Sequence, residues 1–236
     1  MITGARAAVV LLSGGLDSAT CLAMARRDGL SCHALTFDYG QRHKAEIHCA
    51  KRLAQSLGAK SHTVYTLDVA PFAGSALTTG GHVPKDRDNP GTGEIPSTYV
   101  PARNLVFLSI ATAYAETIDV SDVFIGVNTV DYSGYPDCRP EFIDAFSRAA
   151  GMATRLGTQG GRPLTIHTPL LRLSKAEIIR AGTDAGVDFA LTTSCYDPQF
   201  DERGPIACGR CDACILRWRG FEAAGLTDPA RYLENV

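Results

Sequence analysis

The side chains best suited to chemistry stand at the two ends of the chain. Near the C-terminus, Cys195, Cys208, Cys211 and Cys214 follow a C-x12-C-x2-C-x2-C spacing. Two overlapping C-x-x-C steps turn neighbouring sulfurs toward one point, and Gly209 permits the tight turn between them. Four thiolates at about 2.3 Å complete a tetrahedral Zn²⁺ site with no open position, which suits a structural ion rather than water activation. An iron–sulfur cluster or redox cysteines are the other chemistries that such spacing serves. On the zinc reading, one ion per chain folds the tail and holds it at the edge of an active site. Arg210 and Arg217 flank the cluster, either offsetting thiolate charge or standing exposed. Cys21, Cys32 and Cys49 lie in apolar contexts and read as core residues, and Cys138 as a wall of a pocket.

At the other end, Ser13-Gly14-Gly15-Leu16-Asp17-Ser18 directly follows the apolar run Ala7 to Leu12. Two glycines let backbone approach an anion, and the helix expected after them presents unpaired N–H groups at its positive end. Ser13 and Ser18 add hydroxyls, while Asp17 suits Mg²⁺ or a helix cap. A Gly-rich turn with a Ser/Asp cap is the plainer reading of the same residues. Neither G-x-x-x-x-G-K-[ST] nor G-x-G-x-x-G is present, which weakens γ-phosphate transfer and dinucleotide binding. Arg42 and Arg103 are rigid multi-donor cations that fit phosphate or carboxylate, or else finish a solvated helix end. Asn104 could meet a nucleotide or cap its helix. Lys175 falls in the first turn of an expected helix, where a cation is electrostatically disfavoured, and that cost points to a phosphate contact. Asp131 to Arg139 (DYSGYPDCR) is dense in aromatics and hydrogen-bonding groups, as recognition of a planar heterocycle requires, or as a polar surface loop would be.

The elements that must position these residues alternate. Strands are expected at Ala7–Leu12, His33–Phe37, His62–Leu67, Val123–Val127 and Leu164–His167. Helices are expected at Ala19–Arg27, Gln41–Leu57, Arg103–Thr117, Pro140–Leu156 and Ser174–Ala185. That order implies an α/β fold, a mostly parallel sheet with helices on both faces. The phosphate loop then sits at a strand's C-terminal edge, where such folds bind ligands. Val69 to Thr98 is rich in Gly, Pro, Thr and Asp and reads as a flexible insertion, either a flap over the site or a plain surface loop. Residues 1–190 are expected to form the α/β unit that carries the phosphate loop and 191–236 the zinc-binding tail.

With 236 residues, the chain can bury a substantial core without disulfides. A net charge of −2, from 23 basic and 25 acidic residues, speaks against a polynucleotide substrate. No run is long and apolar enough for a membrane span, and Met1 to Arg6 is too short and polar for a signal peptide. A cytoplasmic location is the expectation, and in that compartment clustered cysteines more often hold metal than pair.

In this strand–loop–helix context SGGLDS resembles the PP-loop of N-type ATP pyrophosphatases, which share the adenine-nucleotide alpha-hydrolase-like (HUP, Rossmann-like) fold. Phe37 to His43 (FDYGQRH), Tyr99 to Asn104 (YVPARN), Asp131 to Arg139 and Leu173 to Ile178 (LSKAEI), with the cysteine spacing, narrow the resemblance to the QueC family of 7-cyano-7-deazaguanine (preQ0) synthases over nearly the full length. The resemblance implies ATP-dependent conversion of 7-carboxy-7-deazaguanine and ammonia to preQ0, in queuosine biosynthesis, through adenylated acid and amide. It implies ATP and Mg²⁺, a homodimer, and no nucleic-acid or membrane partner. Catalytic roles fall on Asp17, Lys175 and Arg103. Nucleotide contacts fall on Leu12, Ser13, Gly14, Gly15, Leu16, Asp17, Ser18, Arg42, Arg103, Asn104 and Lys175, and substrate contacts on Phe37, Tyr39, Asp131, Tyr132, Ser133, Tyr135 and Asp137. The rivals are a PP-loop enzyme adenylating tRNA or a protein terminus, and a non-catalytic nucleotide sensor with a zinc knuckle.

Overall fold

The apolar run after Arg6 is a strand because both of its faces are covered. The computed structural model describes residues 6–41, 44–68, 75–78, 82–88, 95, 97–130 and 135–233, and β1 (Ala7–Leu11) is the middle strand of its five-stranded sheet. Ala8 and Val10 face one core, Val9 and Leu11 the other, so the period-2 alternation of a strand is apolar on both sides. In chain order follow α1 (Leu16–Arg27), β2 (Ser31–Asp38), α2 (Ala45–Ser56), β3 (Ser61–Thr66), α3 (Arg103–Thr117), β4 (Asp122–Phe124), α4 (Pro140–Ala153), α5 (Arg155–Thr158), β5 (Thr165–His167), α6 (Lys175–Asp184), β6 (Gln199–Asp201), β7 (Gly204–Ile206) and α7 (Asp212–Ala224). The sheet order is β3-β2-β1-β4-β5, every neighbour parallel. Helices α1, α2 and α6 cover one face; α3 and α4 cover the other. The chain winds outward in both directions from β1, so the carboxyl ends of β1 and β4 flank the crevice where ligands bind in such sheets.

Four expected boundaries shift by three residues or more. Helix α1 starts at Leu16 rather than Ala19, which puts Asp17 and Ser18 on its first turn. Helix α2 starts at Ala45 rather than Gln41, because the Gln41 side chain accepts from Tyr39 N at 2.8 Å and donates to Phe37 O at 3.3 Å, holding a turn instead. The helix expected over Pro140–Leu156 breaks at Thr154 (φ −112°, ψ 149°). The Thr154 hydroxyl donates to Ala150 O at 2.9 Å and caps α5, while Glu116 accepts from the amides of Arg155 and Leu156. Strand β4 ends at Phe124 instead of Val127, since Asn128 leaves the ladder to donate to Leu170 O and Leu173 O at 2.8 and 2.6 Å.

The tail is more ordered than its spacing suggested. It contains the antiparallel hairpin β6–β7 and the helix α7, which packs on α6 and sends Phe221 into the same core as α1. Described parts of the insertion bind this tail: Asp86 N donates to Arg210 O at 2.8 Å, Lys85 pairs with Asp197 at 2.9 Å, and Arg87 with Asp212. Leu77, Val83 and Val100 pack directly around the cysteine cluster. Among the described residues no helix is long and apolar enough to cross a membrane.

Candidate active site

The phosphate loop is shaped by its own side chains. Ser13 N donates to the Ser18 hydroxyl at 3.1 Å, that hydroxyl lies 3.1 Å from Gly15 O, and the two serine hydroxyls are 3.0 Å apart. Gly15 is the N-cap of α1 and offers no side-chain acceptor, so the first-turn N–H groups remain for an anion. Gly14 has φ +92°, and a Cβ there would fall 2.1 Å from Glu46 O and 2.9 Å from Ala50 N. Its lack of a side chain therefore serves the close approach of α2 as much as any ligand. Thr193 N donates to Gly14 O at 3.0 Å, tying the tail's entry to the same loop.

Lys175 reaches this loop from α6. Ser174 and Glu177 form a reciprocal capping box that fixes the start of that helix. The Lys175 ammonium donates to both carboxylate oxygens of Asp17, at 2.8 and 3.1 Å. The lysine stem lies against α7, where a Cβ on Gly220 would come within 2.3 Å of its Cγ. Asp17 thus pairs with Lys175 and is not the cap of α1.

A cavity of about 240 Å³ opens between loop, sheet edge and tail. Leu12, Ser13, Gly15, Leu16, Asp17, Ser18, Phe37, Tyr39, Arg103, Asn104, Tyr135, Cys138 and Lys175 all line it. One wall is aromatic: Phe37 stacks on Phe107 at 4.0 Å, and Tyr39 tilts against Phe107 at 5.4 Å. Tyr135 packs on Tyr99 at 5.7 Å, its hydroxyl 3.2 Å from that of Thr98. Arg103, at the start of α3, bonds Tyr39. Burial alone would lower its pKa, but facing Tyr39, Tyr135 and Glu46 carry it above the usual value. Ala102, which turns the chain into α3, is strained at φ 54°.

Two expected contacts are committed elsewhere. Asn104 reaches the cavity wall, yet its amide nitrogen donates to Asp137 O and Cys138 Sγ, each at 3.3 Å. The Asp137 carboxylate accepts from Asn104 N at 2.8 Å, capping α3 from a distant segment, and does not line the cavity. Burial pushes the Cys138 thiol up to about 12, consistent with a wall rather than a nucleophile. Arg42, Asp131, Tyr132 and Ser133 lie outside the described residues.

Glu46, in the first turn of α2, was not singled out by residue type or spacing, yet it lines the cavity. Burial pushes its carboxyl up to about 7, with Arg103 drawing it partly back. The tail also supplies wall residues: Thr193, Ser194, Tyr196, Ala213, Leu216 and Arg217. Arg217 is buried rather than a flank to the thiolates; it bonds Asp228, Thr192 Oγ1 and Phe189 O. Arg210 is exposed and pairs with Asp86.

The four cysteine sulfurs lie within 4.8 Å of one another, all buried. Cys211 is the N-cap of α7 and Cys214 lies one turn on, so the helix brings both sulfurs to one face and its positive end favours thiolate. Amides of Cys208 and Asp197 donate to Cys195 Sγ at 3.2 and 3.3 Å. A closed set of four soft ligands fits a tetrahedral ion such as Zn²⁺.

A family model described as "Queuosine biosynthesis protein QueC" matches residues 7–225, from β1 through α7. The chain belongs to this family. The match spans the phosphate loop, Lys175 and all four clustered cysteines. A 7-cyano-7-deazaguanine synthase of Methylococcus capsulatus is 60% identical over 225 residues, covering 95% of this chain and 98% of that protein. One from Solidesulfovibrio magneticus is 56% identical over 230 residues, 97% of each. A 4-thiouridine synthetase, solved with RNA and bound ATP, superposes with TM-score 0.52 at 15% identity, over 94% of this chain and 55% of that one. At that identity the likeness concerns the fold.

Proposed function

We infer that this chain makes 7-cyano-7-deazaguanine from 7-carboxy-7-deazaguanine at the expense of ATP. The observation that carries this is identity of 55–60% across nearly the whole length with synthases of that name. The cavity suits the task chemically. A carboxylate is a poor electrophile, and adenylation turns one of its oxygens into a leaving group. The acid's oxygen attacks the α-phosphorus, pyrophosphate leaves, and an acyl adenylate forms. Ammonia displaces AMP to give the amide. The amide oxygen then attacks a second ATP, and loss of an N–H proton with AMP leaves the nitrile.

In this reading the first-turn amides of α1 receive the outer phosphates. Lys175 and Arg103 offset charge at the α-phosphate, and the Phe37, Tyr39 and Tyr135 wall holds the planar base. Arriving phosphates compete with Asp17 for Lys175, freeing that carboxylate, a hard oxygen ligand suited to Mg²⁺. The cysteine set would hold Zn²⁺ as a structural ion, in a tail of residues 191–236 against a catalytic body of residues 1–190. Arg42, Asp131, Tyr132 and Ser133 are further contacts by family resemblance, as is a homodimer.

The test is product analysis by mass spectrometry from ATP, ¹⁵N-ammonium and the 7-carboxy acid. The label should appear in the nitrile, with AMP and pyrophosphate accumulating. ADP and phosphate would defeat the adenylation step.

A further inference from the structure

Nitrogen insertion needs neutral ammonia, whereas at neutral pH ammonium predominates in water. A group that holds that cation beside the acyl carbon and removes its proton would supply the nucleophile there. Asp17 is engaged, since both of its oxygens accept from Lys175. Among the described residues lining the cavity, Glu46 is the only other carboxylate.

Its position is fixed by packing. Helix α2 approaches so closely that the Glu46 carbonyl lies where a Gly14 Cβ would project, 2.1 Å from it. On the other side Arg103, bonded to Tyr39, interacts with it electrostatically. Glu46 therefore stands between the loop that receives phosphates and the aromatic wall that receives the base. The charged and titratable groups around it are Arg103 from α3, Tyr39 just past β2, and Cys49 one turn along its own helix. Across the cavity Asp17 and Lys175 neutralise one another, and Arg217 is paired with Asp228.

Taking the reaction to be the one proposed above, the geometry points to Glu46 as the ammonium site and general base of nitrogen insertion. The carboxylate draws NH₄⁺ into the cavity and takes one proton. The freed lone pair attacks the acyl carbon, a C–N bond forms, and the C–O bond to AMP breaks. A second proton leaves the adduct nitrogen for solvent, so acyl adenylate and NH₄⁺ give amide, AMP and two protons. A base whose pKa lies near the working pH can accept a proton and then release it for the next turnover.

Hydroxylamine is uncharged at neutral pH and needs no such deprotonation, so it separates this role from any other. Turnover is compared with ammonium and with hydroxylamine in the wild type, Glu46→Gln and Glu46→Asp. In Glu46→Gln, ammonium-dependent product should fall on the order of 100-fold or more. Hydroxamate formation should fall at least tenfold less, to about one-tenth or better. The variant's ammonium rate should keep climbing with pH as free ammonia appears, while the wild type levels off above about 7, the value of the Glu46 carboxyl. Glu46→Asp keeps the charge and should retain that plateau, so it decides the matter should the glutamine variant not fold. Equal losses with both nucleophiles, or no loss, would overturn the role of Glu46 while AMP release by the wild type upholds the reaction. No AMP from the wild type with either nucleophile would overturn both.

Discussion

Lys175 pairs with Asp17 at 2.8 Å, with its side chain only 12% exposed. In the proposed reaction it exchanges Asp17 for the charge that develops at the α-phosphate. Lys175→Met should lower kcat for AMP release on the order of 100- to 1,000-fold with a smaller change in KM for ATP, because the contact is strongest in the transition state. A larger change in KM than in kcat would mean ground-state binding instead. Glu46 carries a separate prediction about stability. Its folded-state pKa, about 7, lies above the ordinary 4.5, so the folded protein binds that proton more tightly than the unfolded chain. The resulting stabilisation is full below about 4.5 and is lost as pH rises through 7. Chemical denaturation between these limits should therefore show a smaller decline in Glu46→Gln than in the wild type. Lys175 was legible because a lysine in a first helical turn works against the helix dipole. Glu46 was hidden because the helix expected from Gln41 placed it past the first turn, where a glutamate is an ordinary helix former. Asn104 and Asp137 were read for their hydrogen-bonding capacity, but their partners are each other, a pairing across 33 positions that no local pattern announces.

At the scale of elements, two glycines set how helices meet the site. Gly14→Ala forces a Cβ into α2 at a residue with positive φ, and should cost on the order of 1–3 kcal/mol in stability while displacing the loop. Gly220→Ala presses on the Lys175 stem and should lower turnover with little effect on α7 itself, read by thermal denaturation alongside AMP release. The main strands and helices were legible because β1 carries an unbroken apolar run and α3 runs over the very residues its pattern marks, Arg103 to Thr117. Boundaries shifted where side chains bond the backbone, as at Gln41 and Thr154. Helix α7 escaped notice because the cysteine spacing dominated its sequence, although Cys211 and Cys214 are one helical turn apart.

For the whole molecule, tail, insertion and sheet form connected packing around one cavity. The cysteine cluster anchors Leu77, Val83 and Val100 of the insertion and its exit, and α7 supports Lys175. For the zinc site proposed above, Cys211→Ser or a chelator should release the ion, make the tail sensitive to protease and abolish turnover together, with zinc content followed by elemental analysis. Tail loss without loss of turnover would limit the cluster to local folding. In the proposed reaction each oxygen leaves the substrate on AMP. With both carboxylate oxygens of 7-carboxy-7-deazaguanine labelled by ¹⁸O, mass spectrometry should find one label in each AMP formed and none in pyrophosphate. Label in water or in phosphate, with unlabelled AMP, would contradict the account.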